Sequence, residues 1–346
     1  MNLETLYNKV SEAISSLDFA RIWPGFGPLK FALYNDETCF FDGRYIEKTP
    51  EFCANTSICF QGEQIAIWMV QQELDLSVLT SKIVHEMFHG YQSVMGWDCW
   101  PDELEALYRY EYDAENLSLK RRENELLLAL LGGEDASALQ ELLAHRKRRS
   151  LRFPYEFSYE SKVEEIEGTA NYVEWQVLKQ LDEARAKELE TSMRSLMTKP
   201  EYLFPIRISS YYAGALMINA LLGAGRYCFA AASRPVILSV LKAVDPSQGD
   251  FPGKAEVTRQ ISGAVEAFHR ETDAIVCSAV EKNQVVLNGP LKLAGVNVYN
   301  ARCHHGAITT TYFLMYKDGD EDKMLQGSFV LKMQDEHTIA TVYRWD

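Results

Sequence analysis

Positive charge is scarce in this chain. Against 49 aspartates and glutamates stand 35 lysines and arginines, a formal net charge of −14 over 346 residues. So acidic a surface repels phosphate backbones, and nucleic acid is not an expected partner. Long apolar runs are missing as well. The most apolar segment, Ala213 to Leu222, falls short of the ~20 residues that a membrane-spanning helix needs, so no membrane partner is expected. Residues 1–19 form an amphipathic helical pattern with Glu4, Lys9, Glu12 and Asp18. They lack the basic segment followed by an apolar run that marks a secretory signal. Cysteine occurs seven times, at 39, 53, 59, 99, 228, 277 and 303, with no Cys-x-x-Cys pair. An odd, unpaired set excludes a disulfide framework, offers little to a cysteine zinc site and reads as reduced thiols. These absences together predict a cytoplasmic protein. Internal repeats and low-complexity segments are also lacking. The chain is 47% hydrophobic and 24% charged, the composition of a globular protein with a real core, in one large domain or two ordinary ones.

Histidine is equally sparse, with seven in the chain, yet two of them fall in His85-Glu86-Met87-Phe88-His89. Composition alone would produce His-Glu-x-x-His in about one such chain in a hundred. Residues four apart share a helix face, so both imidazoles can hold one zinc ion, with Glu86 beside them to take a proton from water. Leu79, Ile83, Val84, Met87, Phe88, Tyr91, Val94 and Met95 make the helix apolar around most of its circumference. It is therefore expected to be buried, and two histidines and a glutamate in such a helix need partners. Ser77 is the expected N-cap and Gly96 the expected residue after the C-cap.

The surrounding pattern predicts an α+β chain. Strands are expected at 31–34, 38–41, 57–60 and 65–69, with turns at Asn35-Asp36, Asp42-Gly43 and Gln61-Gly62, giving a small mixed sheet after the first helix. The strand just before the zinc helix is a candidate edge for an extended peptide. Pro101 opens a periodic stretch that Gly132-Gly133 interrupts and Asp135 to Ser150 resumes, an inserted helical hairpin near 101–150. Its basic run, His145 to Arg149, reads as a solvated helix end. Residues 158–181 read as one helix in which Glu160, Glu164, Glu167, Asn171 and Glu174 form a single stripe, with Gly168 and Ala170 small enough for close approach. Further helices are expected at 183–197, 208–222, 235–243 and 254–282. From about 284 the period changes to strands, ending in hairpin turns at Asp318-Gly319 and Gln334-Asp335. Three regions result: 1–76, an N-terminal helix and small sheet; 77–283, a helical catalytic region; and 284–346, a C-terminal β-module. His304-His305 is expected in a surface turn. Adjacent strand residues point to opposite faces, so the pair is not expected to chelate jointly.

His85-Glu86-x-x-His89 followed by Glu167-Gly168-x-Ala170 and by Tyr211-Tyr212-Ala213-Gly214-Ala215 resembles the gluzincin metallopeptidases, above all their aminopeptidase and leukotriene-hydrolase branch. The resemblance covers roughly 77–225. It implies a mainly helical zincin-like core and one zinc ion per chain, with Glu167 as third ligand beside His85 and His89. It also implies Tyr211 as donor to the oxyanion. Tyr212 is the alternative donor and Glu164, one turn away, the alternative ligand. The 78 positions between His89 and Glu167 exceed the branch's interval, and the hairpin at 101–150 accounts for the excess. No Gly-x-Met-Glu-Asn segment is present, which leaves endopeptidase and exopeptidase action both open.

The expected chemistry is hydrolysis of a peptide or protein substrate. Zinc polarises the carbonyl and activates water, Glu86 takes and returns the proton, and Tyr211 stabilises the oxyanion. Asn171 or Glu174 is placed to orient a ligating histidine. The alternatives are an inactive zincin-like protein that binds or scaffolds peptides, and a zinc hydrolase acting on another acyl bond.

Overall fold

The computed structural model describes residues 2–72, 75–133, 136–226, 236–244 and 255–345. Asp135, Cys228, residue 235 and residue 254, which entered the expectations above, lie outside them. In chain order, α1 (Leu3–Ser15) and the short α2 (Phe19–Ile22) precede β1 (Lys30–Tyr34), β2 (Cys39–Phe41), β3 (Arg44–Ile46), β4 (Thr56–Phe60) and β5 (Glu63–Met69). Next come α3 (Leu76–Val94), α4 (Glu103–Arg109), α5 (Ala114–Leu131), α6 (Ala136–Arg152) and α7 (Pro154–Val163). A π-helical turn, Glu164–Gly168, leads into α8 (Thr169–Leu181). Then follow α9 (Glu183–Leu196), α10 (Ile206–Gly223), α11 (Val236–Val240) and α12 (Ala255–Lys282). Strands close the chain: β6 (Val285–Val296), β7 (Arg302–His304), β8 (Ala307–Thr310), β9 (Phe313–Asp318), β10 (Glu321–Gln326), β11 (Phe329–Met333) and β12 (Thr338–Arg344). The fold is α+β with two sheets. No helix among the described residues is long and apolar enough to cross a membrane, and none of their six cysteines is paired.

The N-terminal sheet runs β3-β2-β1-β5-β4. It is mixed, because β1 and β5 are parallel while the other pairs are antiparallel. Asp42-Gly43 and Gln61-Gly62 turn its hairpins with positive φ at both residues, the twist that two-residue hairpins favour. Side chains alternate across the sheet. Phe31, Leu33, Phe40 and Ala66 join the main core with Leu79, Ile83, Val84 and Met87 of α3. Ala32, Tyr34, Phe41, Ile65 and Ile67 pack on the other face with Phe52 and Phe60. Because β5 lies between β1 and β4, the strand that precedes α3 is interior. The free edge beside that helix belongs to β4.

Helix α3 starts two residues earlier than expected. Asp75, not Ser77, is its N-cap, its carboxylate accepting from the backbone N–H groups of Ser77 and Val78. Gly96 follows the C-cap Met95 with φ +69°, a left-handed conformation that suits glycine.

Residues 158–181 are not one regular helix. The π-turn between α7 and α8 holds more residues per turn than an α-helix and shifts the helical phase. The acidic stripe therefore splits. Glu160 and Glu164 turn toward α5 and α6, where Lys120 Nζ lies 2.6 Å from Glu164 and 3.1 Å from Glu160. Arg146 bonds Glu123 and Glu164, and Arg149 bonds Glu123 and Glu160. Arg146 and Arg149 are fully buried. The basic run is thus not a solvated helix end: two of its arginines neutralise carboxylates inside the protein, as burial of charge demands.

The π-turn also lies against α10, where Gly168 and Gly214 meet. A Cβ built on Gly168 would sit 2.4 Å from the Gly214 Cα, and one on Gly214 2.5 Å from the Glu164 carbonyl oxygen. Backbone cannot yield as a side chain does. Gly168→Ala and Gly214→Ala are each expected to destabilise the protein by about 1–3 kcal/mol or more, read from urea unfolding midpoints.

The C-terminal sheet is antiparallel throughout, ordered β10-β9-β6-β12-β11-β8-β7. The sequence pattern predicts strands here at 284–287, 296–299, 308–316, 325–333 and 338–343. In the structure β6 runs on from the first of these to Val296, and 297–299 run into a turn. Residues 308–316 split into β8 and β9, 325–333 split between β10 and β11, and β7 and most of β10 are additional. Leu104, Leu107 and Tyr108 of α4 pack on its core, and α12 lies against β7, β8, β11 and β12. The module is docked on the helical region.

Candidate metal centre

Helix α3 presents His85 and His89 from one face, as their spacing requires. Helix α8 packs along α3 and brings the residues at and after the π-turn to the same place. His85 Nε2 and His89 Nε2 lie 3.1 Å apart. Glu167 Oε2 lies 3.6 Å from the first and 3.3 Å from the second. An ion with tetrahedral bonds of about 2.1 Å sets neighbouring donors about 3.4 Å apart. The three donors therefore fit one small cation. All three also line a cavity of about 520 Å³ together with Glu86, which leaves a further coordination position facing open space.

Each of the three side chains is held from behind. His85 Nδ1 is 3.2 Å from Glu174 Oε2, and the other oxygen of Glu174 accepts from Lys82 at 3.2 Å. His89 Nδ1 is 2.8 Å from the Gln92 side-chain oxygen. The Gln92 amide in turn donates to the Ile166 carbonyl and to Thr169 Oγ1, each at 2.9 Å. An amide oxygen there requires Nδ1 to carry the proton, which leaves Nε2 of His89 with its lone pair free for a metal. Glu167 Oε1 accepts from Arg207 at 2.7 Å, so the carboxylate is oriented with Oε2 toward the imidazoles. Arg207 also bonds Glu103, which accepts from the Tyr159 hydroxyl at 2.8 Å.

Burial lowers the affinity of His85 for a proton, but Glu167, Glu174 and Glu86 outweigh it and push its pKa up to about 10. Burial would raise the Glu167 carboxyl. His89, hydrogen bonding with both imidazoles, and the Arg207 charge instead hold it well below the usual carboxylate range. Glu174 falls to about 2 against the same burial, through Lys82 and His85. Carboxylates gathered around two imidazoles make a field that favours a cation. Glu86 stands apart: burial raises its carboxyl, the histidines pull it back, and Glu167 and Glu174 add to the rise, leaving it above the ordinary value. A carboxylate so raised is a better base near neutrality.

The structure brings His85, Glu86, His89, Glu167 and Tyr211 to one cavity. Tyr211 is held protonated by burial and by the Glu167 charge, so its hydroxyl is available as a donor. Tyr212 lines the same wall, stacked on Tyr202 with centroids 5.8 Å apart. Glu164, the alternative ligand, is not at the site; the π-turn places it among Lys120 and Arg146. Of the two candidate orienting residues, Glu174 contacts His85. Asn171 donates to the Glu167 carbonyl at 3.0 Å and lines the cavity.

Lys82, Gln92, Arg207 and Tyr299 escaped the sequence reading. Lys82 and Gln92 each sit three residues from one of the two candidate histidines, and Arg207 four before Tyr211, so helical spacing was the signal for those three. Tyr299 comes from the turn after β6 in the C-terminal sheet, and no local pattern links it to the site.

The surface turn expected at His304-His305 is present at His305, but the two side chains do not point apart as expected. His304 ends β7, but His305 turns out of the strand with φ +48°, and the two rings approach to 3.7 Å between centroids. The opposite-face rule does not apply to a residue in the turn.

No family model, curated protein or solved structure matches this chain.

Proposed function

We propose that this protein is a zinc-dependent peptidase of the gluzincin type, built on a zincin-like core. The observation that carries the reading is the convergence of His85, His89 and Glu167 at mutual donor distances of 3.1 to 3.6 Å on a cavity that Glu86 also lines. When bound there, zinc supplies Lewis acidity toward a carbonyl and lowers the pKa of water.

The chain's own residues do the rest. Glu86 takes the proton from the attacking water and returns it to the leaving amine. Tyr211 donates a hydrogen bond to the developing oxyanion, an interaction worth about 3–4 kcal/mol in comparable sites. Glu174 and Gln92 hold the imidazoles in register, and Arg207 fixes the Glu167 carboxylate. Thr56 of the edge strand β4 lines the cavity, as does Asn55 before it. A peptide lying beside β4 could pair with its backbone while its scissile bond reaches the ligands. The tyrosines at 202, 211, 212 and 299 give that cleft aromatic walls.

The test combines metal analysis with digestion of a mixed peptide library. After dialysis and desalting, the wild-type protein is expected to retain one tightly held zinc and to release peptides. Glu167→Ala is expected to lose that zinc and the activity, with its circular dichroism spectrum kept. Retention of stoichiometric metal by Glu167→Ala would remove Glu167 from the ligand set. Tight zinc without any peptide cleavage would favour the inactive peptide-binding alternative, and release of non-peptide acyl products alone would favour the other hydrolase.

A further inference from the structure

Three of the chain's seven histidines, at 269, 304 and 305, meet outside the cavity that the first three side chains line. We propose that His304, His305 and Asp273 form a second site for a divalent transition metal, zinc by its donor chemistry. The site would clip the C-terminal sheet to α12.

The geometry is specific. Asp273 Oδ1 is hydrogen-bonded to His304 Nδ1 at 2.8 Å and lies 3.6 Å from His305 Nδ1. A cation in place of the shared proton would spread the first pair toward the ~3.4 Å that tetrahedral zinc sets between donors. One donor from each of the three residues lies within 4.8 Å of the other two. The turn that makes this possible is unusual. His305 and Gly306 both have positive φ, +48° and +73°, in the two-residue link between β7 and β8. Asparagine-glycine is the common choice for such a link. A histidine there swings its imidazole back beside that of its neighbour.

The supporting wall comes from α12. Asp273 and His269 are four residues apart and share a helix face. The His269 ring stacks on His304 with centroids 4.3 Å apart and planes 13° from parallel. A cavity of about 480 Å³ is lined by His269, His304 and His305 together with Glu111, Asp113 and Tyr108. Its acidic groups draw cations, and its space admits water or an outside ligand to complete the coordination. Two imidazoles and a carboxylate suit zinc and its neighbours; magnesium and calcium prefer sites made of oxygen alone.

The cation would bridge a helix of the catalytic region and a turn of the C-terminal sheet, whose Tyr299 lines the first cavity. The site is to be read in a Glu167→Ala background, where the first centre is disabled, so its failure and that of the peptidase reading are separate. In equilibrium dialysis against zinc chloride, Glu167→Ala is expected to bind one equivalent more than Glu167→Ala/His305→Ala. Zinc should raise the unfolding temperature of the former and not of the latter. The His305 side chain is 78% exposed, so its removal spares the core. Asp273→Asn, close in shape, should lose the same equivalent. Equal zinc uptake with and without His305, or an unchanged uptake in Asp273→Asn, overturns the proposal.

Discussion

Glu86→Gln is expected to lower peptide turnover by about 10²–10⁴-fold while the protein keeps its zinc and its fold. The amide matches the carboxylate in size but accepts no proton. Glu86 is not among the three convergent donors, so metal affinity should hardly change. Its carboxyl is raised by burial and by the neighbouring acids, which is what the role of base requires and what glutamine cannot supply. The measurement is kcat/KM on a peptide found in the library digest, with zinc content determined on the same sample. A variant as active as the wild type would dismiss Glu86 as the base. A fall in kcat with KM unchanged would place its action in the chemical step.

Glu164→Ala is expected to be the most destabilising single substitution among the carboxylates named here, by about 3–5 kcal/mol. The change removes the shared partner of Lys120 and Arg146, both without solvent exposure. Lys120 keeps Glu160 and Arg146 keeps Glu123, but three buried cations would then share two carboxylates. A buried cation in excess costs far more than the original pair contributed. Urea unfolding followed by circular dichroism reads the loss, and Glu164→Gln, which keeps the size and an acceptor oxygen, should cost less. A midpoint unchanged in Glu164→Ala would mean that water or another acid reaches the cations. The same cluster predicts the acid response. Burial would raise the Glu160 carboxyl, but Arg149 and Lys120 bring it down to about 2, from an ordinary value of 4.5. Its folded pKa is depressed, so its contribution to stability is fully present above about pH 4.5. It is lost as the pH falls toward 2. Unfolding midpoints measured between pH 5 and pH 2.5 should decline, and less steeply in Glu160→Gln.

Much of the site was legible because its signals are local. His85, Glu86 and His89 lie within five residues of one helix, and period alone puts both imidazoles on one side. Glu167 and Tyr211 were found by resemblance of short segments, and both reach the cavity. The N-terminal strands were legible from their alternation and turns, apart from β3, whose three residues are too short to set a period. The acidic stripe misled because it assumes an unbroken α-helix. A single π-turn redirects half of it, and nothing in Glu164 to Gly168 announces such a turn. The basic run misled for a related reason. Sequence shows that four cations adjoin but not that Glu123, Glu160 and Glu164 wait behind two of them.

The sequence by itself determined the α+β character and the placing of His85, Glu86 and His89 together on one helix, because each follows from neighbours within one or two turns. Only the tertiary structure decided which glutamate faces the imidazoles, which arginines are buried and which strand is the edge. It alone also brought Asp273 of α12 to His304 and His305. These are relations between segments far apart in the chain, set by how helices cross and where a backbone slips phase, and no local period encodes them.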